Sequence, residues 1–148
     1  MSALRRSPIW PLRYAALLEE APIRVLLTAD DPELGRHIAA TLRAGGAEVI
    51  EAGAAPLDRA ASAARTQAPD ARPDILVAAP RTLDPTRIAE LAAARREGFA
   101  APVVLVISSG SPRAQLDAYR AGAEVVLGGP LDLEEVLFTV RGLVPEKG

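Results

Sequence analysis

The chain of 148 residues has no cysteine, so disulfides and thiolate metal sites are excluded from the start. Aromatic residues make up only 3%, with one tryptophan, and there is a single histidine. A lone His37, placed on the outer side of a predicted helix, lacks the partners that a histidine metal site or catalytic triad needs. Neither sign of charge dominates. The formal net charge is −2 and Arg alternates with acidic residues, so no strong positive field is available to attract nucleic acid. Long apolar runs are missing too. Arg5 and Arg6 are followed by Pro8, Pro11 and Arg13 rather than by a continuous hydrophobic stretch, which argues against a signal peptide or membrane span and for a cytoplasmic protein. The motifs G-x-G-x-x-G, the phosphate-binding P-loop and Asp-x-His-x-x-Gly are likewise absent.

What is present is the composition of an ordinary globular domain, 49% hydrophobic and 24% charged, in a chain long enough to bury a core without covalent staples. From Arg24 onward two periodicities alternate. Short aliphatic runs (Val25–Leu27, Ile75–Val77, Val103–Ile107, and more weakly Val49-Ile50 and Val125–Leu127) read as strands buried on both faces, as a parallel sheet requires. Between them lie helical spacings. Leu34, Ile38 and Leu42 follow Asp30 and Asp31 as caps and stop at Gly45-Gly46. A second helix begins after Pro56 with Ala60, Ala61 and Ala64. A third enters through Asp84-Pro85 and leaves at Gly98, and a fourth runs from Ser111-Pro112 to Gly122. In the fifth, Asp132 is the cap, Glu134 and Glu135 suit the positive end of the dipole, and Leu133, Val136, Leu137, Val140 and Leu143 form the stripe.

Five βα units in succession predict an α/β fold of three layers, flavodoxin-like, with a five-stranded parallel sheet and helices on both faces. The expected divisions are an N-terminal extension over 1–22, one domain over 23–144 and a tail over 145–148. In such a sheet, ligands and chemistry collect beyond the carboxyl ends of the strands, near Ala29, Ala52, Ala79, Ser108 and Leu127. In the extension, Ile9, Trp10 and Leu12 form a small apolar cluster, read as part of a tail or an arm packed on its own domain, with a partner-binding element as the alternative.

Four stretches, in order, carry a family resemblance. They are RVLLTADDPEL from Arg24 to Leu34, Pro73–Val77, Ala101–Val104, and Ala121-Gly122-Ala123-Glu124 through Gly129-Pro130-Leu131. Over residues 23–144 the chain resembles the receiver domains of bacterial two-component response regulators, the CheY-like family. That resemblance implies phosphoryl transfer to an aspartate closing the third strand, assisted by a magnesium ion and a loop lysine. Laid on the family pattern, the acceptor position is Ala79, flanked by Ala78 and Pro80, and the lysine position is Gly129. The hydroxyl position is Ile107, or Ser108 after a one-residue shift. The fifth-strand aromatic is Val126, and the acidic pair is Ala29 and Asp30, with Asp31 next.

The expectation is a degenerate pseudo-receiver with no catalytic residue, no metal and no cofactor, and with Asp30 and Asp31 as a residual acidic pocket better suited to helix capping than to magnesium. It is not expected to be an enzyme. Its output would go through a protein partner (a kinase, another regulator or a second copy in a homodimer) and not through nucleic acid or membrane. The resemblance places that contact on the fourth helix, fifth strand and fifth helix, around Arg113, Gln115, Asp117, Arg120 and Glu124. With the chain ending at Gly148, no DNA-binding or enzyme domain of its own is expected. Two other readings stay open. One is a phosphoacceptor using a displaced acid such as Asp84, which also suits a cap or turn before Pro85. The other is a flavodoxin-like binder of small anions or nucleotides through Ser108–Ser111, a loop that serves equally as a plain strand-to-helix turn. The resemblance to the family's Lys-Pro turn makes Gly129–Pro130 a candidate cis peptide, and Arg95, Arg96 and Arg113 are read as solvated.

Overall fold

The computed structural model describes residues 22–108 and 110–144. The apolar cluster of Ile9, Trp10 and Leu12 lies outside them, as does Ser109. The strands are β1 (Arg24–Ala29), β2 (Glu48–Glu51), β3 (Ile75–Ala79), β4 (Val103–Val106) and β5 (Val125–Leu127). The helices are α1 (Pro32–Ala44), α2 (Leu57–Arg65), α3 (Pro85–Arg96), α4 (Pro112–Ala121) and α5 (Leu133–Leu143), with a 3-10 turn at Pro69–Ala71. All strands pair parallel in the order β2-β1-β3-β4-β5.

The side-chain alternation along each strand sorts the core into two layers. Val25, Leu27, Ile75, Val77, Val104 and Val106 face Ile38 and Leu42 of α1 and Val136 and Val140 of α5. Leu26, Leu76, Val103 and Leu105 face Leu57, Ala60 and Ala61 of α2, Leu91 of α3 and Ala118 of α4. The alanines let α2 approach the sheet closely. Strand β2 departs from the expectation of double burial, with Glu48, Ile50 and Glu51 exposed. It is an edge strand, and charge on an edge discourages pairing with a second sheet.

Helix boundaries follow local chemistry. Asp84, Ser111 and Asp132 accept hydrogen bonds from backbone N–H groups in the first turns of α3, α4 and α5, satisfying donors that have no partner within the helix. Asp31 does the same for α1, from Glu33 N. The Gly129–Pro130 bond is trans, correcting the expectation taken from the family turn; Gly129 makes the turn with φ +81°.

Arg95 also departs from its reading as a solvated residue. From the last turn of α3 its guanidinium donates to the carbonyls of Gly122 (2.7 Å), Phe99 (2.8 Å) and Ala101 (2.7 Å). It thereby ties the end of α4 to the approach of β4. Burial lowers its pKa, with Glu124 at 3.7 Å opposing the shift. Gly122 must be glycine on two counts: its φ is +121°, and a Cβ there would come within 2.7 Å of the Arg95 side chain. Replacing Arg95 by Ala is expected to cost about 2–3 kcal/mol, because it leaves three carbonyls without their charged donor. Exposed Arg96→Ala should stay within about 0.5 kcal/mol of wild type. Urea unfolding of the two variants checks the contrast.

Candidate functional site

The carboxyl edge of the sheet brings the ends of β1 and β3 side by side, since Ala29 and Ala79 are register partners. Both side chains point into the α1/α5 layer and are buried. The corner is filled by methyl-sized groups, and α1 lies so close that a Cβ on Gly35 would come within 3.1 Å of Ala29 Cβ. The shallow depression over Ala79 and Pro80 has Leu34, Val106, Ile107 and Leu131 among its walls, with Ser108, Asp31 and Arg81 at the rim. Ile107, at the hydroxyl position, is buried, while Ser108 is exposed. A methyl group offers neither a nucleophile nor a metal ligand.

Asp30 and Asp31 part company. Asp31 caps α1, as expected. Asp30 does not cap it. Instead its carboxylate crosses to the loop after β3, accepting from Arg81 N at 2.8 Å and from Arg87 Nη2 at 3.2 Å. Arg87 sits in the first turns of α3 and donates through Nη1 to both oxygens of Glu90, at 3.1 and 2.9 Å. Glu90 in turn accepts from Leu57 N, at the start of α2, at 3.1 Å. One guanidinium therefore joins the loops that follow β1, β2 and β3. The side chains are partly buried, at 26% exposure for Arg87, 21% for Asp30 and 14% for Glu90.

Desolvation works against the charged guanidinium, but the carboxylates of Asp30 and Glu90 outweigh it and raise the Arg87 pKa above its ordinary value. With both carboxylates ionised, the resulting stabilisation is present below that ordinary value and is lost as pH rises through the raised one.

Sequence reading missed Arg87 and Glu90. Their i,i+3 spacing just inside a helix that starts at Asp84-Pro85 is visible, but nothing in it says that Asp30, far away in the chain, is the third member. Asp84 itself is engaged, accepting from Arg87 N at 2.9 Å and from Thr82 Oγ1 at 3.4 Å. Ser111 Oγ accepts from Ala114 N at 3.0 Å, which makes the serine loop's last hydroxyl a helix cap.

The divalent ion implied by the family resemblance can be tested against these donors. Magnesium takes oxygen ligands in near-octahedral array, with carboxylates among them. Here Asp30 is the single carboxylate at the acidic-pair positions, and both its oxygens already accept hydrogen bonds. Asp31 Oδ1 accepts from Glu33 N, and the third-strand position is a methyl. Among the described residues no three His, Cys, Asp or Glu side chains come together as a metal-binding group. The residues do not fit the ion.

The edge formed by α4, β5 and α5 carries the residues named for partner contact. Arg113 pairs with Asp117 at 3.2 Å, one turn on. Gln115 Nε2 donates to Gly110 O at 3.3 Å, Arg120 is exposed, and Glu124 faces Arg95. Tyr119 OH accepts from Val126 N at 3.0 Å, which occupies a backbone donor of the edge strand from the side of α4. Apolar groups missed by a reading based on charge are exposed on these elements: Leu116 and Tyr119 on α4, and Phe138 on α5 at 80% exposure.

Comparison with known proteins gives one curated relative and many similar structures. No family model matches the chain. It is 28% identical over 127 residues to the probable transcriptional regulatory protein TcrX of Mycobacterium tuberculosis, covering 86% of this chain and 52% of the relative. The chain thus spans about half the length of the curated relative it matches. Chemotaxis protein CheY4 of Vibrio cholerae superposes with TM-score 0.69 at 22% identity, covering 84% of this chain and all (100%) of that one. A putative pilus assembly protein (cpaE) of Burkholderia thailandensis superposes with TM-score 0.62 at 25% identity, covering 81% and 98%. Among the described residues no helix is long and apolar enough to cross a membrane. With its five parallel strands in the order β2-β1-β3-β4-β5 and helices on both faces, the chain has the fold of the CheY-like response-regulator receiver domains.

Proposed function

We propose that residues 23–144 form a phosphorylation-independent receiver module that acts in bacterial signal transduction by binding another protein. One observation carries this reading: the position that closes β3 is the methyl of Ala79, and the nearby acid Asp30 is bonded to Arg87. Attack on phosphorus needs an oxygen nucleophile, and the oxyanion charge that develops needs cations free to meet it. Gly129 in place of lysine supplies no such cation, and the guanidinium at the edge is already shared by two carboxylates. Asp84, the displaced acid that would rescue phosphorylation, serves as the cap of α3.

The role is non-enzymatic. Contact with a partner is assigned to the α4–β5–α5 edge, where α4 presents Arg113, Asp117 and Arg120 with Leu116 and Tyr119, and α5 exposes Phe138. Exposed aromatic side chains are common anchors of protein interfaces. The net charge of −2 favours a protein over nucleic acid as the partner. Because Tyr119 joins α4 to β5, this surface is held in one arrangement, and occupancy would follow partner concentration.

Incubation with a small phosphodonor and magnesium should leave the intact mass unchanged. A stoichiometric gain of one phosphoryl group rejects this reading. Phe138→Asp should weaken binding of the native partner, recovered by affinity capture and then titrated, by about ten- to a hundredfold, the value of one buried phenyl ring. The urea midpoint of that variant should stay close to wild type, since the ring is exposed in the free domain.

A further inference from the structure

We propose that Arg87 is the permanent cation of the carboxyl edge, holding the loops after β1, β2 and β3 in a single arrangement that no soluble divalent ion is needed to maintain. Two carboxylates from different elements converge there. Asp30 leaves the end of β1, and Glu90 stands one turn into α3. Left alone, two partly buried carboxylates would repel each other and would attract a hard cation. Arg87 meets both with a planar fork, Nη2 toward Asp30 and Nη1 toward Glu90, a geometry that a lysine ammonium cannot reproduce.

Each carboxylate has a second task that depends on being held in place. Asp30 Oδ2 accepts the N–H of Arg81, which fixes the loop after β3. Glu90 Oε1 accepts the N–H of Leu57, which sits at the start of α2 where the N-cap residue, Pro56, supplies no side-chain acceptor. A backbone donor of α2 is thus met by a side chain from α3 that Arg87 orients. The Asp30–Arg87–Glu90 chain does what side-chain capping does in α1, α3, α4 and α5, and it does so between elements. The inference rests on the proposed function only for its meaning in signalling, because a phosphoryl gain would reject that reading without bearing on how the loops are held.

The test reads individual backbone amides. Hydrogen exchange of the Arg81 and Leu57 N–H groups is followed by NMR on the full chain, with EDTA and with magnesium or manganese at saturating concentration. In wild type, exchange at both amides should be the same in every condition, and the thermal midpoint should show no saturable response to either ion. Arg87→Met keeps the apolar stem and removes the charge. Exchange at both amides should then rise roughly tenfold as the local structure opens more readily, and added magnesium should slow it again. Asp30→Asn in the same background should abolish that metal response. Should Arg87→Met fail to fold, Arg87→Lys keeps the charge but loses the fork, so exchange at the two amides should rise by less than in Arg87→Met and magnesium should not reverse it. Unchanged exchange in Arg87→Met overturns the proposal, as does saturable magnesium protection in wild type or in Arg87→Lys.

Discussion

A parallel sheet covered on both faces leaves its loops little choice of where to meet. Every strand here ends at the same edge, so the loops that follow β1, β2 and β3 converge within reach of one another. Burial of aliphatic side chains in the two layers sets the strand order and register, but it does not reach the polar backbone groups at that edge. Those need partners of their own. The Asp30–Arg87–Glu90 chain supplies them, and it does so across loops rather than within one. At the opposite edge Arg95 plays a similar part through three carbonyls. Two arginines of α3 thus tie the loops at both ends of the sheet, and the helix that carries them is the one covering its centre.

The same arrangement suits a methyl group at position 79. If an acid stood at position 79, it would add a third negative charge near Asp30 and Glu90, where a single guanidinium already serves two. The methyl of Ala79 adds no charge and joins the α1/α5 core instead. Ala29, its register partner, does likewise beneath Gly35. The residues at this corner are therefore mutually consistent: small where α1 presses close, apolar where Leu34, Ile107 and Leu131 line the depression, and charged toward its opening.

How far the sequence could be read divides along the same physical lines. The strands, the helix starts and the layer architecture were legible, because each depends on local spacing. Aliphatic runs mark β1, β3 and β4, and Asp84-Pro85, Ser111-Pro112 and Asp132 mark caps that their neighbours satisfy. That Ala79 closes the third strand was legible from order along the chain. What was not legible were the long-range polar contacts. Asp30 reads as a cap beside Asp31, yet only Asp31 caps, since Asp30 lies closer to a cation 57 residues away. Arg95 and Arg96 look alike in sequence, but one stands over carbonyls and the other faces solvent, a difference decided by which side of α3 meets the α4 end. The trans Gly129–Pro130 bond likewise departs from what the family turn suggested.

A receiver that switches needs two arrangements of its carboxyl edge close in energy, and a bound group with different affinity for each. On the function proposed above, the present edge works against that requirement. Its cation is part of the chain, so its local concentration is fixed and cannot be withdrawn by a change in solution conditions. A guanidinium keeps its charge across the neutral range, and Asp30 and Glu90 favour that charge further. Tyr119, joined through its hydroxyl to β5, offers the α4–β5–α5 surface in the geometry seen here. If the module works as proposed, a surface presented without a switch would be regulated by how much of it there is and by what competes for it, and control would lie with the partner.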